Sequence, residues 1–158
     1  ELSGEAGREY ILKELVDPHK RSYDYIILDT PPSLGLLTIN AFTASEEVLI
    51  PLQAQYLALQ GLAKLVEVIE KIKKRLNKNL KIGGIFLTQY DNRKVLNKDI
   101  ANTIDSHFKE ILFKTKIRDN ITLAEAPISG MDIFRYQPKS NGADDYAALC
   151  NEILHSKH

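Results

Sequence analysis

Three short apolar runs constrain this chain more than any other feature. Tyr25-Ile26-Ile27-Leu28, Val48-Leu49-Ile50-Pro51-Leu52 and Ile82-Gly83-Gly84-Ile85-Phe86-Leu87-Thr88 are each strand-length, and helix-length segments lie between them. Antiparallel neighbours need only a tight turn, whereas parallel neighbours need a crossover long enough to return across the sheet. This chain supplies such crossovers. Residues 57–76 carry Leu62, Leu65, Val66, Ile69, Ile72 and Leu76 at i, i+3, i+4 spacing, which predicts an amphipathic helix. Its Lys71, Lys73, Lys74 and Arg75 gather at the C-terminal end, where cations favour the helix dipole. Further helices are predicted over 4–16, 36–45, 97–108 and 140–155, and a fourth, shorter strand over 111–115. The run at 25–28, bounded by Asp29-Thr30-Pro31-Pro32, reads as a fully buried strand. The order α-β-α-β-α-β-α-β-α predicts an α/β chain, a mostly parallel sheet with helices on both faces.

Length and charge narrow the class. A chain of 158 residues is expected to form one domain, 1–158. Hydrophobic residues at 44% and charged residues at 27% exclude a disordered chain, a collagen-like fibre and a coiled-coil rod. Lys and Arg number 21 and Asp and Glu number 21, so a nucleic-acid role would have to rest on a local basic face. Cys150 is the only cysteine, which excludes an internal disulfide, and the Cys and His spacing suggests no zinc or iron–sulfur site. A reducing cytosol is the expected compartment. No apolar run approaches the roughly 18 residues of a membrane span, and no leader peptide is read at the start. The chain opens on Glu1 and holds only Met131, so an upstream portion is expected to have been lost.

In open parallel sheets, ligands bind beyond the carboxyl ends of the strands. The segments that follow the predicted strands are 29–34, 53–60, 88–93 and 116–127. Asp29 stands directly after an apolar run, where a carboxylate can hold magnesium directly or through water. A turn-forming Asp ahead of two prolines is the competing reading. Pro31 and Pro32 fix φ and stiffen the loop, which suits a rigid turn or a switch that senses phosphate. The GxxxxGK[ST] pattern is absent, and none of the 8 glycines is followed by lysine. The residues therefore offer a magnesium-side carboxylate without a phosphate cradle. His19, His107, His155 and His158 lack metal-site spacing, and Ser3, Ser33 and Ser129 sit in no nucleophile elbow. Cys150, beside Leu149 and near Ile153, reads as core packing. Arg93, Lys94 and Lys98 form one basic group; Lys71, Lys73, Lys74, Arg75, Lys78 and Lys81 form another. Both read first as solvated faces, and aromatic residues interleave with neither.

The segment Tyr23-Asp24-Tyr25-Ile26-Ile27-Leu28-Asp29-Thr30-Pro31-Pro32-Ser33-Leu34-Gly35 resembles the Walker B region of the ParA/Soj-type partition ATPases, deviant-Walker P-loop ATPases related to MinD. The likeness continues through Leu37-Thr38-Ile39-Asn40-Ala41, Pro51-Leu52-Gln53, Ala58-Leu59-Gln60-Gly61, Leu87-Thr88, Asp91 and Arg93. It closes with Ile117, Asn120, Leu123, Glu125-Ala126-Pro127, Gly130, Tyr136, Pro138, Ser140, Gly142-Ala143 and Tyr146. The resemblance implies a P-loop NTPase-type layer sandwich, here incomplete, and an ATP-dependent switch. A nucleotide-dependent homodimer would enclose ATP and magnesium, bind DNA without sequence preference, and hydrolyse slowly until a ParB-like partner stimulates it. Chromosome or plasmid cargo would be partitioned thereby, in a bacterial cytoplasm, at the nucleoid and without a membrane. By the same carry-over Asp29 is the catalytic, magnesium-side carboxylate, and Thr30, Pro31 and Pro32 form the loop that feels the γ-phosphate. Thr88, Arg118 and Asn120 flank the adenine, while Arg93, with Lys94 and Lys98 beside it, faces DNA.

The departures from the family pattern carry expectations of their own. The phosphate loop with its two lysines, the strand that bears it and a catalytic Asp beyond it have no counterpart in this sequence. The present chain is therefore expected to be the inactive C-terminal part of such an ATPase, with part of its sheet unpaired. Gln55 stands where many members have Glu, Arg118-Asp119 where many have Pro-Arg, and Thr122 where many have Arg. Two positive charges near the DNA face are altered, which lowers the expected DNA affinity and its salt sensitivity. The alternative is a nucleotide-free interaction module that pairs with a complete ParA-like partner. A MinD-like membrane-cycling ATPase ranks below both, because residues 144–158 lack a strongly basic amphipathic face.

Overall fold

The computed structural model describes residues 7–31 and 33–155. Ser3, Pro32, His158 and the first residues of the helix expected over 4–16 lie outside the described residues. The elements run α1 (Ile11–Val16), a 3-10 turn (Asp17–His19), α2 (Leu36–Ala44), β1 (Glu47–Gln53), α3 (Tyr56–Arg75), β2 (Lys81–Tyr90), α4 (Val95–Phe108), β3 (Leu112–Arg118), α5 (Thr122–Ile128), α6 (Ile133–Tyr136) and α7 (Asn141–His155). The strands form one parallel sheet in the order β1-β2-β3, so the mixed α/β class holds. β1 ends that order, which accommodates Pro51, a residue with no N–H to give a ladder. Val48, Ile50 and Leu52 are buried while Leu49 and Pro51 face out.

The strand expected at 25–28 does not form. That segment takes no regular structure and pairs with no strand among the described residues; Ile27 is 90% and Tyr25 69% exposed. A strand exists only where a neighbour completes its ladder, and without one its N–H and C=O groups turn to water and carry the side chains with them. The helix expected over 4–16 is shorter as well. Gly7 adopts φ +83°, its carbonyl accepts Tyr10 N–H in a turn (2.9 Å), and Pro18 ends the helix in the 3-10 turn. Cys150, expected in the core, is exposed on α7.

The described residues group into two compact units, one from segments 1–48 and 63–82, the other from 49–62 and 83–158. In the first, two asparagine amides satisfy helix ends, whose terminal backbone groups have no partner within the helix. Buried Asn40 accepts Leu12 N–H at the start of α1 (3.1 Å) and donates to Arg8 O (2.9 Å) and Leu36 O (3.0 Å). Asn77, just beyond α3, donates to Phe42 O, Thr43 O and Ser45 O at the end of α2 (3.0, 3.2 and 2.6 Å).

In the second unit, α7 packs on β3. Phe113, Ile117 and Leu149 form a cluster with Phe86, Leu123 and Ile153 against it. β3 is an edge strand, and edge N–H groups left bare invite pairing with other chains. Carboxylates of α7 take them instead. Glu152 accepts Lys114 N–H (2.7 Å) and Thr115 N–H (2.9 Å), and Asp145 accepts Arg118 N–H (2.9 Å). Burial pushes the Glu152 carboxyl up, but its hydrogen bonds from Thr115 and Lys114 outweigh that and hold it below the ordinary 4.5.

Gly84 shows why β2 tolerates glycine. Its Cα lies under the Phe113 ring, and an added Cβ would stand 2.6 Å from Phe113 Cζ. Gly84→Ala is therefore expected to cost about 1–3 kcal/mol by overpacking, read as a lower urea midpoint with an unchanged m value. Phe113→Leu in the Gly84→Ala background should recover part of that loss. A Gly84→Ala chain as stable as the parent would remove the ring from this position.

Candidate functional site

In a parallel sheet the strand exits are backbone ends that no tight turn completes, and here side chains from the following helices complete them. Asn97, buried on α4, donates from Nδ2 to Ala54 O after β1 (2.9 Å) and accepts Asp91 N–H after β2 at Oδ1 (2.8 Å). One amide thus joins two exit loops to a helix. The β3 exit is held from α7. Asp145, 8% exposed, takes Arg118 N–H, Arg118 Nε (2.9 and 3.1 Å) and its terminal nitrogen (2.6 Å). Those hydrogen bonds hold the Arg118 guanidinium above its ordinary value.

Thr88 lies two residues before the end of β2, Arg118 ends β3 and Asn120 follows two residues later, with Tyr90 in register with Arg118. Thr88 is half-buried near the end of β2. The residue after it, Gln89, has φ 50°, an uncommon conformation for a residue with a Cβ, and it coincides with a register shift between Leu87 and Tyr90. Lys116 Nζ lies 4.4 Å from the centroid of the Tyr90 ring. Asn120 stands two residues ahead of α5: its Oδ1 accepts Thr122 N–H (3.0 Å) and Thr122 Oγ1–H (2.7 Å). Behind it, Tyr136 on α6 donates to Glu125 on α5 (3.2 Å), and burial and then the Glu125 charge push the phenol up.

Asp29, Thr30 and Pro31 belong to the other unit. They lie outside any helix or strand, with Asp29 exposed and Thr30 half-buried. Thr38 on α2 donates to Ser33 O, which ties the far side of this segment to the helix (2.5 Å). Among the described residues no group of three His, Cys, Asp or Glu could hold a metal. A single exposed carboxylate still fits magnesium, which takes one or two carboxylates together with phosphate oxygens and water. Among the described residues no helix is long and apolar enough to cross a membrane.

Arg93, Lys94 and Lys98 share one surface at the start of α4, all exposed. Lys94 stands just ahead of α4 and Lys98 in its first turn, where the Lys98 N–H meets Lys94 O (3.4 Å). Arg93 is not a free cation: its Nε and terminal nitrogen meet both oxygens of Asp91 (3.0 and 2.9 Å), and its N–H meets Oδ1 (2.9 Å). Asp91 and Asn97 were not singled out as polar anchors from sequence; their signal is a carboxylate two residues before an arginine and an amide on the apolar face that Ile100, Ala101 and Ile104 mark.

The Arg93 side-chain and backbone hydrogen bonds lower the Asp91 carboxyl from 3.8 to about 2. A depressed carboxyl stabilises the fold above its unfolded value and loses that contribution as pH falls through the folded one. The Arg93–Asp91 contribution is thus full above pH 3.8 and fades through about pH 2. Carbon-detected NMR titration should place Asp91 near 2, and Arg93→Gln should return it toward 3.8. An Asp91 that titrates normally in the parent would contradict the pair.

Residues 1–82 match the family described as AAA domain. The sporulation initiation inhibitor protein Soj of Bacillus subtilis is 44% identical over 97% of this chain and 60% of its own length. The chromosome-partitioning ATPase Soj of Treponema pallidum is 42% identical over 98% of this chain and 61% of its own. The chain thus spans less than two thirds of either relative. Among solved structures, cobyrinic acid a,c-diamide synthase from Mycobacterium smegmatis with bound ATP analog and magnesium superposes with a TM-score of 0.80 at 30% identity, covering 97% of this chain and 56% of that one. The structural neighbours are P-loop NTPase folds.

Proposed function

This chain belongs to the AAA domain family, within its ParA/Soj-type group, and from that premise we propose that residues 1–158 are the C-terminal part of a single ATPase domain that serves chromosome or plasmid partition. The reading rests on one observation above others: identity above 40% runs along 97% or more of the chain, through both the Asp29 segment and the strand-exit loops. The reaction is magnesium-dependent ATP hydrolysis, which times homodimer formation and release from DNA. Asp29 holds the magnesium side, and Thr30, Pro31 and Pro32 follow the γ-phosphate. Thr88, Arg118 and Asn120 take the adenine. Bound magnesium–ATP would supply the phosphoryl group, which passes to a water molecule; the chain's own residues would hold the metal side and orient the base. This sequence offers no lysine-bearing glycine loop for the β- and γ-phosphates, so turnover is expected of the full gene product rather than of residues 1–158 alone. The product works in the cytoplasm at the nucleoid, and a ParB-like partner stimulates it.

Asp29→Ala in the full gene product is expected to lower magnesium–ATP turnover about a hundredfold or more, the scale of removing one preorganised electrostatic partner. Turnover that survives unchanged removes Asp29 from the reaction. A parent protein that binds no ATP would favour the nucleotide-free interaction module.

DNA would meet the surface of Arg93, Lys94 and Lys98 through phosphate contacts. Replacing Lys94 and Lys98 together by Ala should reduce the slope of log K against log salt by about 1.8, two contacts at roughly 0.9 each. An unchanged slope would move the DNA face elsewhere on the molecule.

A further inference from the structure

We propose that Asp145 is the positioning residue of the base-binding loop 118–122, an inference that rests on the reading of Arg118 and Asn120 as the adenine side. A carboxylate this buried is unfavourable unless fully partnered, and its partners are all on Arg118: the backbone N–H and two guanidinium nitrogens. The direction in which β3 leaves the sheet is therefore set from α7. The other end of the loop is set from α7 too. Leu123, the second residue of α5, packs over Gly142 so closely that a Cβ there would lie 2.7 Å from Leu123 Cγ. Between these anchors Asn120 accepts two hydrogen bonds from Thr122 at Oδ1. A backbone N–H can only donate, so the carboxamide orientation is fixed and Nδ2 is the atom left to meet a ligand. The arrangement offers a pre-aimed donor to a ring nitrogen of the base.

Releasing the loop would spread it over several conformers, and an apparent dissociation constant rises in inverse proportion to the competent fraction. The guanidinium is 47% exposed, so it can turn to water when its partner is removed, and the fold should survive the substitution. In the full gene product, titrated with a fluorescent ATP analogue and magnesium, Asp145→Ala is expected to raise Kd about tenfold, as the competent fraction falls to about a tenth. Asp145→Asn retains an acceptor for Arg118 N–H and should fall between parent and Ala; it also serves if Ala does not fold. Higher ATP should offset the loss of turnover at low ATP, because affinity rather than chemistry is affected. Glu152→Gln is the structural control. It loosens the same helix on the same strand at Lys114 and Thr115, and should lower the melting temperature while leaving Kd within about twofold.

Asp145 variants that bind the analogue as tightly as the parent overturn the inference, and so does Glu152→Gln weakening binding equally. Both outcomes leave the proposed function standing. A parent that does not bind the analogue at all overturns the proposed function, and the role of Asp145 with it.

Discussion

Backbone polar groups that no regular structure completes are the constraint on which this fold turns. A hairpin would close each strand end with its own turn; a parallel sheet cannot, and every exit emerges as unpaired N–H and C=O. Leaving one such group buried and unmet costs about 1–3 kcal/mol, more than a typical hydrogen bond contributes net. The exits after β1 and β2 meet the single amide of Asn97, and the exit after β3 meets Asp145. These residues sit on helices that follow β2 and β3, so helix docking and loop placement are one event. The loops that carry Asp91, Arg93, Arg118 and Asn120 gain their positions from it.

The same economy governs the helix ends, and it gives physical meaning to Asn40, Glu125, Ser140 and Gly142, which otherwise read only as family markers. Asn40 completes the start of α1, and Asn77 gathers three carbonyls at the end of α2. Ser140 caps α7 by accepting Ala143 N–H (3.1 Å), while Gly142 beside it leaves room for Leu123. Glu125 accepts the Tyr136 hydroxyl and ties α5 to α6. Each of them fixes the angle at which an element leaves its neighbour.

Elements with strong local signals were legible in the sequence. The spacing at 57–76 became α3, and the runs at 48–52 and 82–88 became β1 and β2 with small changes at their ends. What depended on distant partners was not legible. The run at 25–28 has the composition of a buried strand, but a strand's burial is a property of its neighbours, and those side chains lie open. Helices α5 and α6 escaped notice because Pro127 and Gly130 punctuate them; Pro127 falls in the last turn of α5, and Gly130, at φ +65°, makes the bend that follows. At the site, Arg118 and Asn120 were identified by resemblance, whereas Asp145 was not. A lone acid on the apolar face of an amphipathic helix, between Gly142 and Leu149, is the signal that could have found it.

Charge at the two arginines follows from how each is partnered. Arg93 and Arg118 both give their planar forks to a carboxylate, Asp91 and Asp145, in two-point contacts. The first pair is exposed on its arginine side, so a phosphate can compete with Asp91 for the same fork. That exchange trades one anion for another and adds little net attraction. The second is anchored on a buried carboxylate, and leaving it would strand that charge away from water. Arg118 is therefore held as a structural cation, whatever binds beyond it. The other cations at the start of α4 are Lys94 and Lys98, flexible point charges that demand no fixed partner geometry. Under the DNA-binding reading proposed above, such a surface would make contacts that are weak and indifferent to sequence.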